Sequence, residues 1–266
     1  MELTIRRFGR PNREVLGLLQ SPRTQTAGRA AFLMCRPFGQ EAVRTSPIYR
    51  AGSDRLAREG CTVLAIDHHG CGDSPGELET QTLDGWVGDS IAAHAQLLAD
   101  APGKPIHWFG MGIGATVLAQ AALIAEPAPR CVVLWEPVID GSRYMARLIA
   151  SHREDLCREM GRPWNQLLAL GEAEPVLPGS VLGFTLGAGL FAEVERLKAL
   201  PLAALSARGI RVVLAVAPAE RDGLAGDLPP QVTLHSIESP INWMSTVALG
   251  TAIVPQEIPR TLLGTL

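Results

Sequence analysis

Short apolar runs rich in β-branched residues, each closed by turn formers, recur along the chain at 31–35, 61–66, 106–109, 131–135, 211–217 and 232–237. Several are apolar on both faces, as strands are when helices cover both sides of a parallel sheet. Between them, 47–59, 86–99, 115–125 and 201–207 carry helical spacing. Strand and helix therefore alternate. The pattern predicts a doubly wound α/β sheet with its ligand crevice outside the carboxyl ends of the strands. The alternation breaks at 141–199, where helical patches at 144–160 and 189–200 flank the Pro- and Gly-rich 172–187 and no strand pattern is evident. An insertion after the carboxyl end of a strand predicts a helical cap over the crevice, with 1–140 and 200–266 as core and 141–199 as cap. In the tail, Pro240, Pro255 and Pro259 keep any helix short or broken.

Composition narrows the class. Of 266 residues, 47% are hydrophobic and 19% charged, enough apolar surface for one large core and too little charge for a disordered chain. The formal net charge is −3. No run of five like charges occurs, so the basic face that nucleic acid requires is missing. The five cysteines, Cys35, Cys61, Cys71, Cys131 and Cys157, are scattered and form no C-x-x-C pair. That spacing suits neither a disulfide framework nor a zinc site, and reads as small buried hydrophobes in a reducing compartment. Residues 1–7 lack the apolar core of a signal peptide, so the cytoplasm is the expected location. The stretch 108–125 is uncharged over 18 positions, the length at which a membrane span must be considered. Its Gly110, Gly112 and Gly114 instead suit a buried strand, a tight turn and a buried helix, and no membrane span is expected.

Three loops at strand ends carry the candidate chemistry. After 31–35 comes Arg36-Pro37-Phe38-Gly39-Gln40-Glu41. In a hydrolase, a backbone N–H of Phe38 or Gly39 there would face a developing oxyanion; an ordinary strand-to-helix turn explains the same residues. After 61–66 comes Asp67-His68-His69-Gly70-Cys71-Gly72-Asp73-Ser74. Adjacent His68 and His69 point apart on an extended segment, so no metal is predicted. A structural loop in which Asp73 and Ser74 bond the backbone accounts for it equally. The strand before it is expected to neighbour the one bearing the glycine turn, so that both loops border one crevice. After 106–109 comes Gly110-Met111-Gly112-Ile113-Gly114-Ala115, directly before a helix. This is the frame of the nucleophile elbow G-x-S-x-G with Gly112 at the serine position. Met111, Gly112 and Ile113, at a helix N-terminus, can still hold an anion or carbonyl oxygen. Gly110-x-Gly112-x-x-Ala115 also fits the dinucleotide fingerprint, with Glu136 ending the next strand where a ribose-binding acid would fall. The spacing alone leaves both readings open.

Together these loops resemble α/β-hydrolases of the serine aminopeptidase or acyl-hydrolase type, most specifically through the D-x-x-G-x-G-x-S spacing of Asp67 to Ser74. More narrowly, the chain resembles the second type of exosortase A system-associated hydrolase, found in bacterial exopolysaccharide gene clusters. The Pro37-Phe38-Gly39-Gln40-Glu41 loop, Leu134-Trp135-Glu136-Pro137-Val138 and Ser239-Pro240-Ile241-Asn242-Trp243 carry that likeness. The resemblance implies an α/β-hydrolase fold and a triad in the order nucleophile, acid, histidine. Gly112 occupies the nucleophile position, Asp222 is available as the acid, and no histidine follows the last strand; His235 lies within it. With two of three roles empty, the resemblance implies a non-hydrolytic member that binds a small acyl, glycosyl or carboxylate ligand, or a protein partner, without a cofactor. The alternatives are an acyl hydrolase with chemistry relocated to Cys71, His68, His69 or Asp73, and the dinucleotide-binding protein.

Overall fold

The structure is a computed structural model and describes residues 2–22, 29–171, 173, 180–224, 226, 228–238, 241–245 and 254–266. The chain opens with an antiparallel hairpin, β1 (Glu2–Arg10) and β2 (Arg13–Ser21). The alternating part follows as β3 (Ala31–Cys35), α1 (Gly39–Arg58), β4 (Thr62–Asp67), a 3₁₀ turn (Leu78–Thr80), α2 (Leu83–Asp100), β5 (Ile106–Met111), α3 (Gly112–Ala121) and β6 (Cys131–Trp135). Next come α4 (Gly141–Met160), α5 (Trp164–Ala169), a two-residue-strand hairpin β7 (Ser180–Val181) and β8 (Phe184–Thr185), and α6 (Ala188–Glu195). The chain then returns through α7 (Leu202–Ala207), β9 (Arg211–Val216), α8 (Pro218–Leu224), β10 (Val232–Ser236) and α9 (Glu257–Leu263).

The large sheet runs β1-β2-β4-β3-β5-β6-β9-β10. β2 pairs antiparallel with both neighbours, and every pairing from β4 to β10 is parallel. Strand alternation sends side chains to two cores. Leu33, Leu64, Trp108, Val132 and Leu214 face α2 and α3, where they meet Ala93, Leu97 and Leu118. Phe32, Val63, Phe109, Val133 and Ala215 face α1 and α9, against Ile48, Tyr49, Leu56, Ile258 and Leu262. A third cluster joins the segment after β6 to the body through Phe38, Trp86, Ile113, Tyr144, Leu148 and Leu190.

Four features differ from the sequence-based expectation. The β1–β2 hairpin lacks the unbroken apolar runs of the inner strands. β1 is an edge strand whose Leu3 and Ile5 are exposed and whose Arg6 forks onto Asp100 at 2.8 Å. α1 starts eight residues before Pro47 and runs through it, because its buried face, Glu41, Thr45, Ile48, Tyr49, Leu56, spans the proline. The segment 141–199 contains the β7–β8 strands, too short for periodicity to reveal. Finally, β3 lies between β4 and β5, so the two strand-end loops expected to be adjacent are not.

Candidate functional site

β5 ends at Met111 and α3 begins at Gly112, whose φ of +54° is the left-handed value a tight strand-to-helix turn demands. Tyr49 holds the turn from below. Its hydroxyl donates to the Cys35 carbonyl (2.7 Å) and accepts from the Met111 N–H (3.1 Å), tying the ends of β3 and β5 to α1. On the far side, the Thr116 hydroxyl donates to the Val138 carbonyl at 2.9 Å and anchors α3 to the loop after β6. The three glycines then differ sharply. A Cβ on Gly110 would stand 2.8 Å from the Ala115 Cα, and one on Gly114 would stand 2.5 Å from the Arg36 carbonyl oxygen. Those two are glycine because backbone passes against backbone. A Cβ on Gly112 would meet Glu41 Oε2 at 3.4 Å and Pro37 Cβ at 3.6 Å, which are tolerable contacts. The turn keeps room for a side chain and carries none.

Gly112 opens into a cavity of about 640 Å³ at the carboxyl ends of β5, β6 and β9. Glu41, from the first turn of α1, reaches it with only 8% of its surface exposed. The buried Tyr144 hydroxyl of α4 donates to Glu41 Oε2 at 2.7 Å. Burial pushes the Glu41 carboxyl up to about 7, reinforced by the charge of Glu136 and opposed by the Tyr144 hydrogen bond and the Arg147 guanidinium. Burial also holds the Tyr144 phenol well above its usual value, so it stays a donor. Across the cavity, Glu136 follows β6 with φ +45°, a conformation rare for a residue with a side chain and frequent at functional sites. Its carboxylate accepts from Trp243 Nε1 at 2.8 Å, and burial raises its pKa. Arg147 is exposed at the mouth, where Arg143 also lies 3.8 Å from the Glu220 carboxylate.

Among the residues singled out in the sequence, Met111 and Gly112 line this cavity. The Phe38 and Ile113 side chains are buried in the third core cluster, leaving only their backbone for a ligand. The Ile113 N–H is the second amide of α3 and has no acceptor within the helix. Gly39, at φ +62°, faces Phe184 and borders a different cavity. Asp222 falls in α8, but its side chain lies outside the described residues; Ala219, Glu220 and Leu224 of the same helix line the cavity. His235 sits on edge strand β10, its Nε2 3.8 Å from the Glu257 carboxylate, and does not line the cavity. No serine, cysteine or histidine occurs among the described lining residues. Motif and spacing point to none of Glu41, Tyr144 and Arg147 as a site residue. The available signal for Glu41 was an acid on the same helical face as Ile48 and Tyr49.

The histidine-rich loop proves to be closely bonded to the body. The Ser74 hydroxyl donates to the Asp67 carbonyl and accepts from the Leu16 N–H at 2.8 Å. His69 Nδ1 lies 2.9 Å from the Glu14 carbonyl, and the His69 N–H donates to Asp89 at 3.0 Å. Asp67, within 3.3 Å of Arg36, accepts the Asp73 N–H. Cys71 and His68 line a second cavity of about 390 Å³ on the other side of Pro37 from Gly112. Burial pushes the Cys71 thiol up to about 12 and the His68 imidazole down to about 4, so both are neutral near pH 7. No group of three His, Cys, Asp or Glu side chains suited to a metal is found among the described residues. No helix among them is long and apolar enough to cross a membrane.

Residues 41–182, just over half of the chain, match the family described as serine aminopeptidase, S33. The chain belongs to that family. The match to the S33 family runs from Glu41 through the Asp67–Ser74 loop and the elbow to β7. No curated protein matches the chain in sequence. Among solved structures it is similar to a proline iminopeptidase of Mycobacterium smegmatis, at 15% identity over 98% of this chain and 97% of the other, TM-score 0.60. A Pyrococcus furiosus esterase aligns at 16% identity over 99% and 89%, TM-score 0.62. Est1E from Butyrivibrio proteoclasticus, with ferulic acid bound, aligns at 13% identity over 97% and 98%, TM-score 0.59. These likenesses show the α/β-hydrolase fold. In this S33 chain the Gly110–Ala115 fingerprint is thus the elbow of that fold rather than the opening of a dinucleotide unit. Gly110 and Gly114 are glycine for backbone packing, and Glu136 is engaged by Trp243.

Proposed function

We propose that this S33-family chain keeps the crevice as a binding site for a small acyl, glycosyl or carboxylate ligand and does not run the acyl-enzyme cycle of a serine hydrolase. The observation that carries this is Gly112: the elbow is built and held open, yet no serine, cysteine or histidine lies among the described residues around it. Without the triad's nucleophile and histidine, the acyl-enzyme cycle has no starting point, and binding and oxyanion-type contacts are what the elbow itself retains. Those contacts are of the right kind. The first amides of α3 suit a carbonyl or carboxylate oxygen, Arg147 at the mouth suits an anion, and Trp243 offers a flat apolar face. Est1E, with ferulic acid bound, shows that a fold of this kind accommodates a small carboxylic acid. The motifs shared with exosortase-associated hydrolases favour a sugar-bearing ligand from exopolysaccharide assembly. A cavity of about 640 Å³ suits a small molecule better than a protein surface.

The test is calorimetric titration with acetate, ferulate and glucuronate against the protein and its Arg147→Ala variant. Saturable binding of at least one of them, weakened about tenfold or more in the variant, is expected. No binding by any of the three, or binding indifferent to Arg147, would count against the crevice reading.

A further inference from the structure

Glu41 is unusual for the place it occupies. A hydroxyl at position 112 would be carried by a Cβ 3.4 Å from Glu41 Oε2, so the missing side chain and this carboxylate share one small space. With glycine at 112, nothing separates Oε2 from the cavity of about 640 Å³ that Glu41 and Gly112 both line, which has room for water beside the carboxylate. The carboxylate does not drift, because the Tyr144 hydroxyl fixes Oε2 at 2.7 Å and Glu41 is itself buried on the inner face of α1 with Thr45 and Ile48. α3 begins at Gly112 itself, and the amides of its first turn, Ile113 among them, have no acceptor within the helix. A base and room for a nucleophile thus meet at Gly112, at the start of a helix whose terminal amides suit a developing oxyanion.

We propose that Glu41 is a general base that activates a water molecule over Gly112, giving this crevice a one-step hydrolysis of small carboxylic esters with no covalent intermediate. The inference goes beyond ligand binding, and rests on that reading only in placing the acyl group in the Gly112 cavity. As the water oxygen bonds to the acyl carbon, one water proton passes to Glu41 and the carbonyl electron pair moves onto its oxygen, facing the Ile113 N–H. When the tetrahedral intermediate collapses, the bond to the alcohol oxygen breaks. Glu41 returns the proton to that oxygen, so acid and alcohol leave and the carboxylate is restored. Tyr144 is a positioning residue: it holds Oε2 and favours the ionised form. The groups that set the titration of Glu41 are Tyr144 and Arg147 from α4 and Glu136 from the loop after β6. Its pKa of about 7 gives it far more basicity than an ordinary carboxylate while leaving it largely ionised in mildly alkaline solution.

The probe is 4-nitrophenyl acetate, followed at several pH values with the uncatalysed rate subtracted. The wild-type chain is expected to show protein-dependent hydrolysis without a burst, rising with pH through a midpoint near that of Glu41. Glu41→Gln should lower kcat/KM by about 100-fold or to the uncatalysed rate, the usual contribution of a general base. Gly112→Ala, which fills the water's place, should do the same while melting near wild type. Tyr144→Phe, which removes a donor to the carboxylate, should move the midpoint to higher pH; a merely structural tyrosine would leave it in place. Absence of protein-dependent hydrolysis, or hydrolysis unchanged in Glu41→Gln, overturns the proposal. Hydrolysis that shows a burst and is blocked by a fluorophosphonate would instead overturn the reading of the crevice as free of acyl-enzyme chemistry.

Discussion

Alanine substitutions at Gly112 and Gly114 separate an open elbow from a closed one. At Gly112 the new Cβ meets nothing closer than 3.4 Å, so the cost is that of a left-handed conformation, about 1–2 kcal/mol. The lost freedom of the unfolded chain returns roughly 0.4–1 kcal/mol. The net is about 1 kcal/mol, or about 2–4 °C in melting temperature for a chain of this size. At Gly114 the Cβ lies 2.5 Å from the Arg36 carbonyl oxygen, 2.8 Å from its carbon and 2.9 Å from the Cys35 carbonyl oxygen. All three are backbone atoms that cannot turn aside. Overpacking of this kind lies at or above about 3 kcal/mol, and the better helix propensity of alanine offsets about 1 kcal/mol. A fall of at least about 4–8 °C is expected. Paired thermal melts, with circular dichroism to confirm folding, provide the assay. If Gly112→Ala melts as low as Gly114→Ala, the space over Gly112 is not open, and the account of the site fails with it.

Other expectations follow from buried charges. Asp89, with 2% of its side chain exposed, receives a two-pronged contact from Arg13 at 2.7 and 3.0 Å and the His69 N–H; Asp89→Asn should cost about 3 kcal/mol or more in urea denaturation, and near-neutral behaviour would refute its anchoring role. Because the folded-state pKa of Glu41 is raised from 4.5 to about 7, its stabilising contribution is full below about 4.5 and is lost as pH rises through about 7. Relative to Glu41→Gln, the wild type should therefore lose stability between about pH 5 and about pH 8; parallel curves would contradict the burial argument. Site-resolved alkylation with iodoacetamide should find Cys71 no faster than Cys61 and Cys131, since burial raises all three thiols; a fast Cys71 would revive chemistry in the second cavity.

How much of this was legible in the sequence depends on which interactions leave periodic traces. The inner strands β3, β5, β6 and β9 are buried on both faces, and their apolar runs marked them to within two residues. The elbow was legible because its demands are backbone demands: Gly110 and Gly114 are fixed by contacts that no side chain could survive. What spacing could not supply was the partner of the vacancy. Glu41 and Tyr144 are 103 positions apart, and their hydrogen bond exists only because α4 folds back over the first turn of α1. The histidine-rich loop misled in the opposite sense. His69, Asp73 and Ser74 look like chemistry in one dimension, yet they spend their polar atoms on Glu14, Leu16 and Asp67. The crossover order β4-β3-β5, invisible to local pattern, then assigned that loop to a separate cavity.

The central claim is that this S33-family crevice forms no acyl-enzyme, and reaction with a fluorophosphonate tests it most directly. Incubation of the full chain with excess probe, followed by intact mass spectrometry and peptide mapping, reads the result without a substrate. The account predicts no adduct on any serine under conditions that label a serine hydrolase of the same fold to completion, because Gly112 presents no hydroxyl at the elbow. Stoichiometric modification of one serine would contradict it and place a nucleophile in the crevice.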